Sequence, residues 1–511
     1  MASPNEKLAA SLARLQELQK DGRRVFRSKE LTRIHRERLL KLGFLREVIK
    51  GWLISAGPES DQGDSTSWYA SFWEFCAGYC NSRFGDSWYL SPEQSILLHS
   101  ENTVIPVQLV VYSPKGTNNS IELLFNTSIY DLNHKQTLKR NDLTILEDLR
   151  LFSPEAALIK VPETFFTRYP VEAQVVLWGI RDVSDVLGRL LDGGHSVVAG
   201  RLAGAFRSVG RSDFADEILS SMKAAGYDIR ETNPFAPRQT FAKVNKTVAP
   251  IIKRLQTIWE TFRSKVIDVF PESPGTTEDR RSYLNFINEI YISDAYHSLS
   301  IEGYRVSPEL IERVRSGEWD PDNNQFDRRS NDALAARGYW QAFQLVREAA
   351  ARVFEGENAG AVVREEHRKW YRELLQPGVA SGLIEPSVLA GYRNDAVFLR
   401  GSRHVPPRWE AVRDAMPVFF DLIEAEPEPS VRAVLGHWMF AYIHPYLDGN
   451  GRMARFLMNV MLASGGERWI VIRVEDRNLY MSALESASID MDIQPFAEFI
   501  AERVRWSRDK K

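Results

Sequence analysis

Residues 444–455 read HPYLDGNGRMAR. These twelve positions hold one histidine, one aspartate, a Gly-Asn-Gly run and two arginines. Just upstream, SVRAVLGHWMFAYI (430–443) carries apolar residues at 431, 434, 435, 438 and 442, the spacing of one buried helical face. Pro445 disfavours the α conformation at His444, so that helix ends there. Leu457, Met458, Val460, Met461 and Leu462 open a second apolar helix. The motif is therefore a loop that feeds a helix N-terminus. Gly449 and Gly451 let backbone N–H groups come close to a ligand, and the helix dipole adds positive potential. Such a loop is an anion site suited to phosphate.

Each side chain then has a chemical use. Arg452 and Arg455 lie three apart on one helical face and can hold a polyphosphate. Asp448 is a hard oxygen ligand, suited to Mg²⁺ already carried by nucleotide phosphates. His444 has no metal-ligating partner at helical spacing, and a general base fits it better than a ligand. Taken singly, a capping histidine, a glycine turn and solvated arginines would explain these residues. Together they describe in-line attack of a hydroxyl on phosphorus.

The stretch resembles the Fic-domain signature, His-Pro-Phe-x-[Asp/Glu]-Gly-Asn-Gly-Arg-x-x-Arg, with Tyr446 in place of Phe. The resemblance extends over residues 280–505 and implies a Fic domain at 281–505, all-α with a β-hairpin flap. It implies transfer of AMP from ATP to a Tyr, Ser or Thr hydroxyl of a protein, with release of pyrophosphate. His444 would be the base and Asp448 the Mg²⁺ ligand. Gly449, Asn450 and Gly451 would bind the α-phosphate region, Arg452 the β-phosphate and Arg455 the γ-phosphate. GYRNDAVFLRGSRHVPP (391–407) is similar to the family's flap, whose Val397, Phe398, Leu399 and Arg400 would line the nucleotide and align a target by strand addition. RNLYMSAL (477–484) resembles the segment that closes on adenine, with Tyr480 as the stacking ring. Ala487 or Ser488 stands where relatives often have Asn.

HSLSIEGY (297–304) resembles the family's inhibitory motif, [Ser/Thr]-x-x-x-Glu-[Gly/Asn]. Ser298 and Glu302 are one helical turn apart, and Gly303 has the position of a C-cap. The resemblance implies inhibition in cis, in which Glu302 pairs with Arg455 and displaces the γ-phosphate.

The N-terminal end reads differently. LAASLARLQELQK (8–20) has apolar residues at 8, 12, 15 and 18 and predicts a helix. Ser28 is an N-cap for a short helix through Leu31, a further helix runs through HRERLLKL to Gly43, and FLREVIKGWLI forms a hairpin around Lys50-Gly51. That order is a winged helix over residues 1–60, with Arg33, His35, Arg36, Arg38 and Lys41 as a DNA-reading face. Residues 1–55 hold 13 Lys+Arg and 6 Asp+Glu, so a basic end precedes an acidic body in a chain of net charge −3.

Residues 61–235 read as mixed α/β. SWYASFWEFCAGYC (67–80) is a helix that places both cysteines, Cys76 and Cys80, on one buried face. IPVQLVVYS and SIELLFNTSIYDL read as strands, LRLFSPEAALIKVP starts a helix after Ser153-Pro154, and residues 187–226 are helical. The succession resembles the AbiEi-type antitoxins of bacterial abortive-infection systems, which implies a toxin–antitoxin setting. NPFAPRQ (233–239) and PESPGTTEDR (271–280) are turn-rich and flank a connecting helix within a 236–280 linker.

No run of eighteen apolar residues occurs, and the first residues lack the apolar core of a signal peptide, so the expectation is a cytoplasmic protein without a membrane partner. Two other functions stay open. One is a DNA-binding regulator whose nucleotide site only senses. The other is a Fic enzyme that transfers UMP, phosphocholine or phosphate, or removes AMP.

Overall fold

The computed structural model describes residues 3–58, 63–135, 138, 140–235, 249–275, 280–319 and 330–509. The chain forms two compact units, Met1–Pro250 with Phe398–Val405, and Ile251–Val397 with Pro406–Lys511.

The first unit begins with helix Pro4–Leu18, closed by a Ser3/Glu6 capping box. Helix Arg33–Lys41 follows, capped by Thr32. Strands Val25–Arg27, Leu45–Ile49 and Trp52–Ser55 make an antiparallel sheet with the last strand in the middle. Gly51, at φ +88°, supplies the left-handed turn between the last two. Leu15, Phe26, Leu31, Leu39, Leu45 and Leu53 form the core of this element. Ser28, expected as an N-cap, is instead the first residue of a 3-10 turn, Ser28–Glu30, whose N-cap is Arg27.

The middle region joins helix Thr66–Phe84 to a four-stranded sheet. Cys76 and Cys80 are both free and buried in it. SIELLFNTSIYDL is not one strand but two, Asn119–Glu122 and Ser128–Asn133, paired antiparallel. Phe125 and Asn126 take positive φ and reverse the chain between them. The intervening residues, LLFNTS (123–128), contain no glycine or proline to mark that reversal. Helix Pro154–Lys160 starts at the Ser153 cap as expected. The long helical pattern of 187–226 breaks at Gly194 and Gly210, both at positive φ.

Segment 391–407 contains no paired strand. It makes a turn at Arg400-Gly401 in which Ser402 N–H donates to Leu399 O at 3.1 Å. Within the first unit, Ile105 N–H donates to Arg403 O at 2.9 Å, and the Arg24 guanidinium lies 5.4 Å from the Phe398 ring. The expected hairpin is thus replaced by an extended loop whose backbone groups bond elsewhere.

The second unit is helical. Helix Pro250–Val269, expected as a connector, buries Ile251, Leu255, Ile258, Phe262 and Val266 inside this unit. Trp259 and Arg263 both donate to Glu426, and Arg254 donates to the Tyr442 hydroxyl at 3.0 Å. NPFAPRQ and PESPGTTEDR fall partly outside the described residues. The motif helix, Asn450–Ala463, is buried on every side, from Arg452 through Ala463. Helices Arg280–Ile301, Asn331–Phe354, Ala359–Ala380 and Pro429–Ile443 surround it. A helix enclosed in this way must supply partners for each polar side chain it carries. No helix among the described residues is long and apolar enough to cross a membrane.

Candidate active site

His444 sits at the C-cap of helix Pro429–Ile443 in the left-handed conformation, φ 52° and ψ 61°. A non-glycine residue there is uncommon and must be held by its surroundings. Arg393 does the holding. Its Nε donates to His444 O at 2.8 Å, its Nη1 to Asp395 O at 3.0 Å and its Nη2 to Pro407 O. Arg393 N–H also donates to Pro445 O at 2.8 Å. A 2 % exposed guanidinium thus ties the chain reversal through carbonyl groups.

The imidazole of His444 places Nδ1 3.3 Å from Ala441 O. A carbonyl only accepts, so Nδ1 carries the hydrogen and Nε2 presents its lone pair. Burial, helped by the nearby Arg393 charge, lowers the pKa of His444 to about 4 against the opposing effects of Ala441 O, Glu302 and Asp448. The ring is neutral near pH 7 and competent to take a proton.

The loop closes on itself through Asn450. Tyr446 N–H donates to Asn450 Oδ1 at 3.0 Å and Asn450 Nδ2 donates to Tyr446 O at 2.8 Å. The Asn450 side chain is spent on the loop, and a ligand would meet its backbone. Gly449 is the helix N-cap at φ +83°, where a Cβ would crowd Leu374 Cδ2 at 3.1 Å. A Cβ on Gly451 would land on Glu302 Oε1, so the bare backbone admits that carboxylate. Tyr446 stacks on Tyr371 with ring centroids 3.7 Å apart, and its buried hydroxyl has no partner among the described residues.

The two arginines are 1 % and 4 % exposed. Arg452 Nη2 pairs with Asp448 Oδ2 at 3.0 Å, and its guanidinium lies 5.3 Å from the Tyr304 ring. Asp448 keeps 56 % of its side chain exposed. Arg455 donates through Nε to Ser298 Oγ at 2.8 Å, and through Nη2 to Ser298 O at 3.0 Å and Glu302 Oε1 at 2.7 Å. Arg455 Nη1 is buried without a partner among the described residues. Gly303, at φ +93°, ends the helix directly after Glu302.

One turn before Ser298 stands Asp294, which accepts from Tyr339 Oη at 2.6 Å and Trp469 Nε1 at 3.1 Å. Burial raises its pKa to about 6, against those two donors and the Arg455 charge. Asp294, Ser298 and Glu302 follow at steps of four, the first two on helix Arg280–Ile301 and the third directly after its end.

Two sequence expectations take a different place. Tyr480 is 1 % exposed, bonded to His437 Nε2 at 2.8 Å and packed against Phe496 and Phe499. Its ring belongs to the core rather than to an open stacking face. Ser488 accepts from Trp438 Nε1 at 3.1 Å, a packing role, and Ala487 is buried. Of the flap residues, Val397 remains with the second unit, while Phe398, Leu399 and Arg400 belong to the first.

The sequence reading missed Arg393 and Asp294. Asp294 was accessible through its spacing of four from Ser298. Arg393 carried no periodic signal, because its partners are main-chain carbonyls brought near by the fold.

Arg38, expected on a DNA-reading face, donates to Lys7 O and Ser11 Oγ, each at 2.6 Å, and His35 Nδ1 meets Ser11 Oγ at 2.9 Å. Both residues join the two helices of the N-terminal element. Arg33 and Lys41 are exposed and Arg36 is half-buried, with Arg33 also pairing with Glu37.

Residues 361–462 match the model of the Fic/DOC family. The chain is 30% identical over 272 residues to "Protein adenylyltransferase Fic" of Nematostella vectensis, covering 52% of this chain and 58% of that protein. It is 28% identical over 218 residues to the protein of the same name from Drosophila willistoni, covering 42% of this chain and 40% of that one. The chain thus spans from 40% to 58% of the length of these relatives. A solved structure of Fic-1 (aa134–508) from C. elegans is similar at a TM-score of 0.37 and 16% identity, over 69% of this chain and 89% of that one. The part of the chain that matches the Fic/DOC model contains His444, Asp448, Arg452 and Arg455 together, on one loop and one helix turn.

Proposed function

We propose that the protein transfers AMP from ATP to a Tyr, Ser or Thr hydroxyl of a protein, and that Glu302 restrains this activity in cis. The observation that carries the reading is an imidazole whose Nδ1 meets Ala441 O, leaving Nε2 without a partner among the described residues, one loop before the two buried arginines of the motif helix. The match to the Fic/DOC model and the relatives named protein adenylyltransferase support it.

The triphosphate lies against the backbone N–H groups of the Gly449–Gly451 turn and the guanidinium groups of Arg452 and Arg455. The acceptor O–H gives its proton to His444 Nε2 while its oxygen bonds to the α-phosphorus. The bond from that phosphorus to the bridging oxygen breaks, and pyrophosphate leaves. Arg393 fixes the backbone at His444, so the base is oriented before substrate arrives. Asp448 fits Mg²⁺: its carboxylate is largely exposed, and no group of three potential ligands exists among the described residues. One carboxylate suits an ion whose other ligands are phosphates and water. Bound there, Mg²⁺ would neutralise phosphate charge.

Glu302 occupies Arg455 Nη2, the donor that the γ-phosphate would use. ATP then binds with its chain displaced and its α-phosphorus out of line.

The test is ATP labelled on the α-phosphate, incubated with the purified chain and with lysate. Label should appear on protein and disappear with His444→Ala. Label arriving from γ-labelled ATP instead would make the reaction phosphate transfer and refute the reading.

For residues 1–60 we propose a winged helix that binds duplex DNA through phosphate contacts. The observation is a two-helix, three-strand element with Arg33 and Lys41 exposed on helix Arg33–Lys41. Replacing Arg33, Arg36 and Lys41 by Ala should weaken binding on every sequence and flatten its salt dependence. Gel shifts without binding at low salt would refute it.

A further inference from the structure

Beside the motif loop lies a cavity of about 690 Å³ in the second unit. Arg364, Arg368 and Arg413 line it, with Asn394, His367 and Leu447, and Arg393 reaches it from below. Among the described residues, no acidic side chain lines it. Arg364 is held by Asp421 at 2.5 Å and Glu424 at 3.0 Å. Arg368 lies 4.8 Å from the Tyr392 ring and Arg413 5.0 Å from the Trp409 ring, and neither has a carboxylate partner among the described residues. Both are exposed. Arg364, Arg368 and Arg372 repeat every fourth residue, so helix Ala359–Ala380 presents a cationic stripe along this side.

The cavity is tied to the base. Leu447, 41% exposed, stands in the same loop as His444 and three residues after it. Arg393, which lines the cavity, donates to His444 O. A chain lying among these arginines would therefore carry its neighbouring residues toward the imidazole. The size suits several side chains rather than one small anion. The exposed leucine offers an apolar contact that a bare phosphate would leave unused.

We infer that this cavity docks an acidic polypeptide segment flanking the hydroxyl to be modified, so that Arg368 and Arg413 select targets by charge. The inference rests on the proposed transfer to a protein hydroxyl. Guanidinium groups suit this use because their planar donors match carboxylates two at a time. Selection should appear in binding and KM, since Arg368 and Arg413, unlike Arg393, make no bond to the His444 loop among the described residues.

The test uses the full chain, with and without Glu302→Gly, and the double charge reversal Arg368→Glu/Arg413→Glu. Both arginines are exposed, and an unchanged melting temperature verifies folding. The probe is a fluorescein-labelled copolymer of Glu and Tyr, read by anisotropy at physiological salt, with a Lys–Tyr copolymer as control. The Glu–Tyr copolymer should bind at least about tenfold more tightly than the control, and the double variant should lose that difference. With α-labelled ATP, the double variant should raise KM for the Glu–Tyr copolymer about tenfold with kcat unchanged. Equal use of both copolymers, or an unaltered KM, overturns the proposal and leaves AMP transfer standing. A single-stranded oligonucleotide that displaces the Glu–Tyr copolymer at lower concentration than unlabelled copolymer overturns it in favour of nucleic acid. If the double variant loses binding and no form of the chain labels any hydroxyl, the groove stands and the transfer reading falls.

Discussion

Removing Glu302 should increase activity. Its Oε1 lies 2.7 Å from Arg455 Nη2, and that guanidinium is 5% exposed at the side chain. A charge-assisted hydrogen bond contributes about 1.5–3 kcal/mol. The Glu302 side chain keeps 27% exposure, so solvent screens the pair and the lower half of that range applies. About 2 kcal/mol corresponds to roughly thirtyfold in the share of nucleotide bound in line. Arg455 does not collapse when Glu302 leaves, because Ser298 still accepts its Nε and Nη2. The freed donor is thus already placed for phosphate. Glu302→Gln separates charge from shape: a neutral acceptor bonds about half as strongly, so it should raise activity roughly fivefold. The assay is the initial rate of self-labelling with α-labelled ATP, for wild type, Glu302→Gly, Glu302→Gln and Glu302→Gly/His444→Ala. The last should show no label. If Glu302→Gly labels no faster than wild type, the carboxylate is only a helix-end residue. If Glu302→Gln matches wild type while the glycine variant rises, bulk rather than charge blocks the site.

Four further outcomes follow from the same geometry. Since burial lowers the His444 pKa to about 4, log kcat/KM should stay flat from pH 8 down past 6, and activity should fall only as pH nears the value at which the ring protonates; an acid limb centred near 6.5 would contradict the assignment. Asp448→Ala should leave a low transfer rate that does not respond to added Mg²⁺, and a full Mg²⁺ response in that variant would place the ion elsewhere. Tyr446→Phe removes a buried hydroxyl without a partner among the described residues and should stabilise the chain by about 1 kcal/mol in urea unfolding, whereas a loss of stability would reveal a bond made by that hydroxyl. The Asp294 pKa is raised in the fold, so its contribution to stability is present at acid pH and is lost as pH rises from 3.8 to about 6; Asp294→Asn should raise the melting temperature more at pH 7.5 than at pH 5, with a difference on the order of 1.4 kcal/mol, because about one pH unit of that displacement lies above pH 5.

The motif helix and the helix before it could be read from sequence because their buried faces repeat at helical spacing and Pro445 punctuates them. The Ser298–Glu302 pair was readable for a similar reason, since a spacing of four guarantees one face, and the structure puts both on Arg455. Tyr480 shows where this kind of reading stops. A tyrosine in an amphipathic helix is equally suited to an open ring or a core ring, and only the position of His437, 43 residues away, decides it. The 391–407 loop fails for another reason: the hairpin is an expectation from the resemblance alone, and strand pairing is decided by what lies alongside. Arg38 illustrates the same limit on charge counting. It adds to the basic balance of the first 55 residues, yet its guanidinium is occupied by Lys7 O and Ser11 Oγ.

Arg393 fixes the orientation of the His444 backbone and, through its charge, helps keep that ring unprotonated. Geometry and basicity at this site therefore share one control. A variant that moves or discharges the guanidinium changes both at once, so the pH response of the protein cannot be retuned from that side without loosening the base. Glu302 and Asp448 also raise the imidazole pKa without holding its main chain, but each already has a place in the proposed reaction, as restraint and as Mg²⁺ ligand. Every charge that sets the basicity of this ring thus carries a second duty, so a change in pH response cannot be made at this site alone.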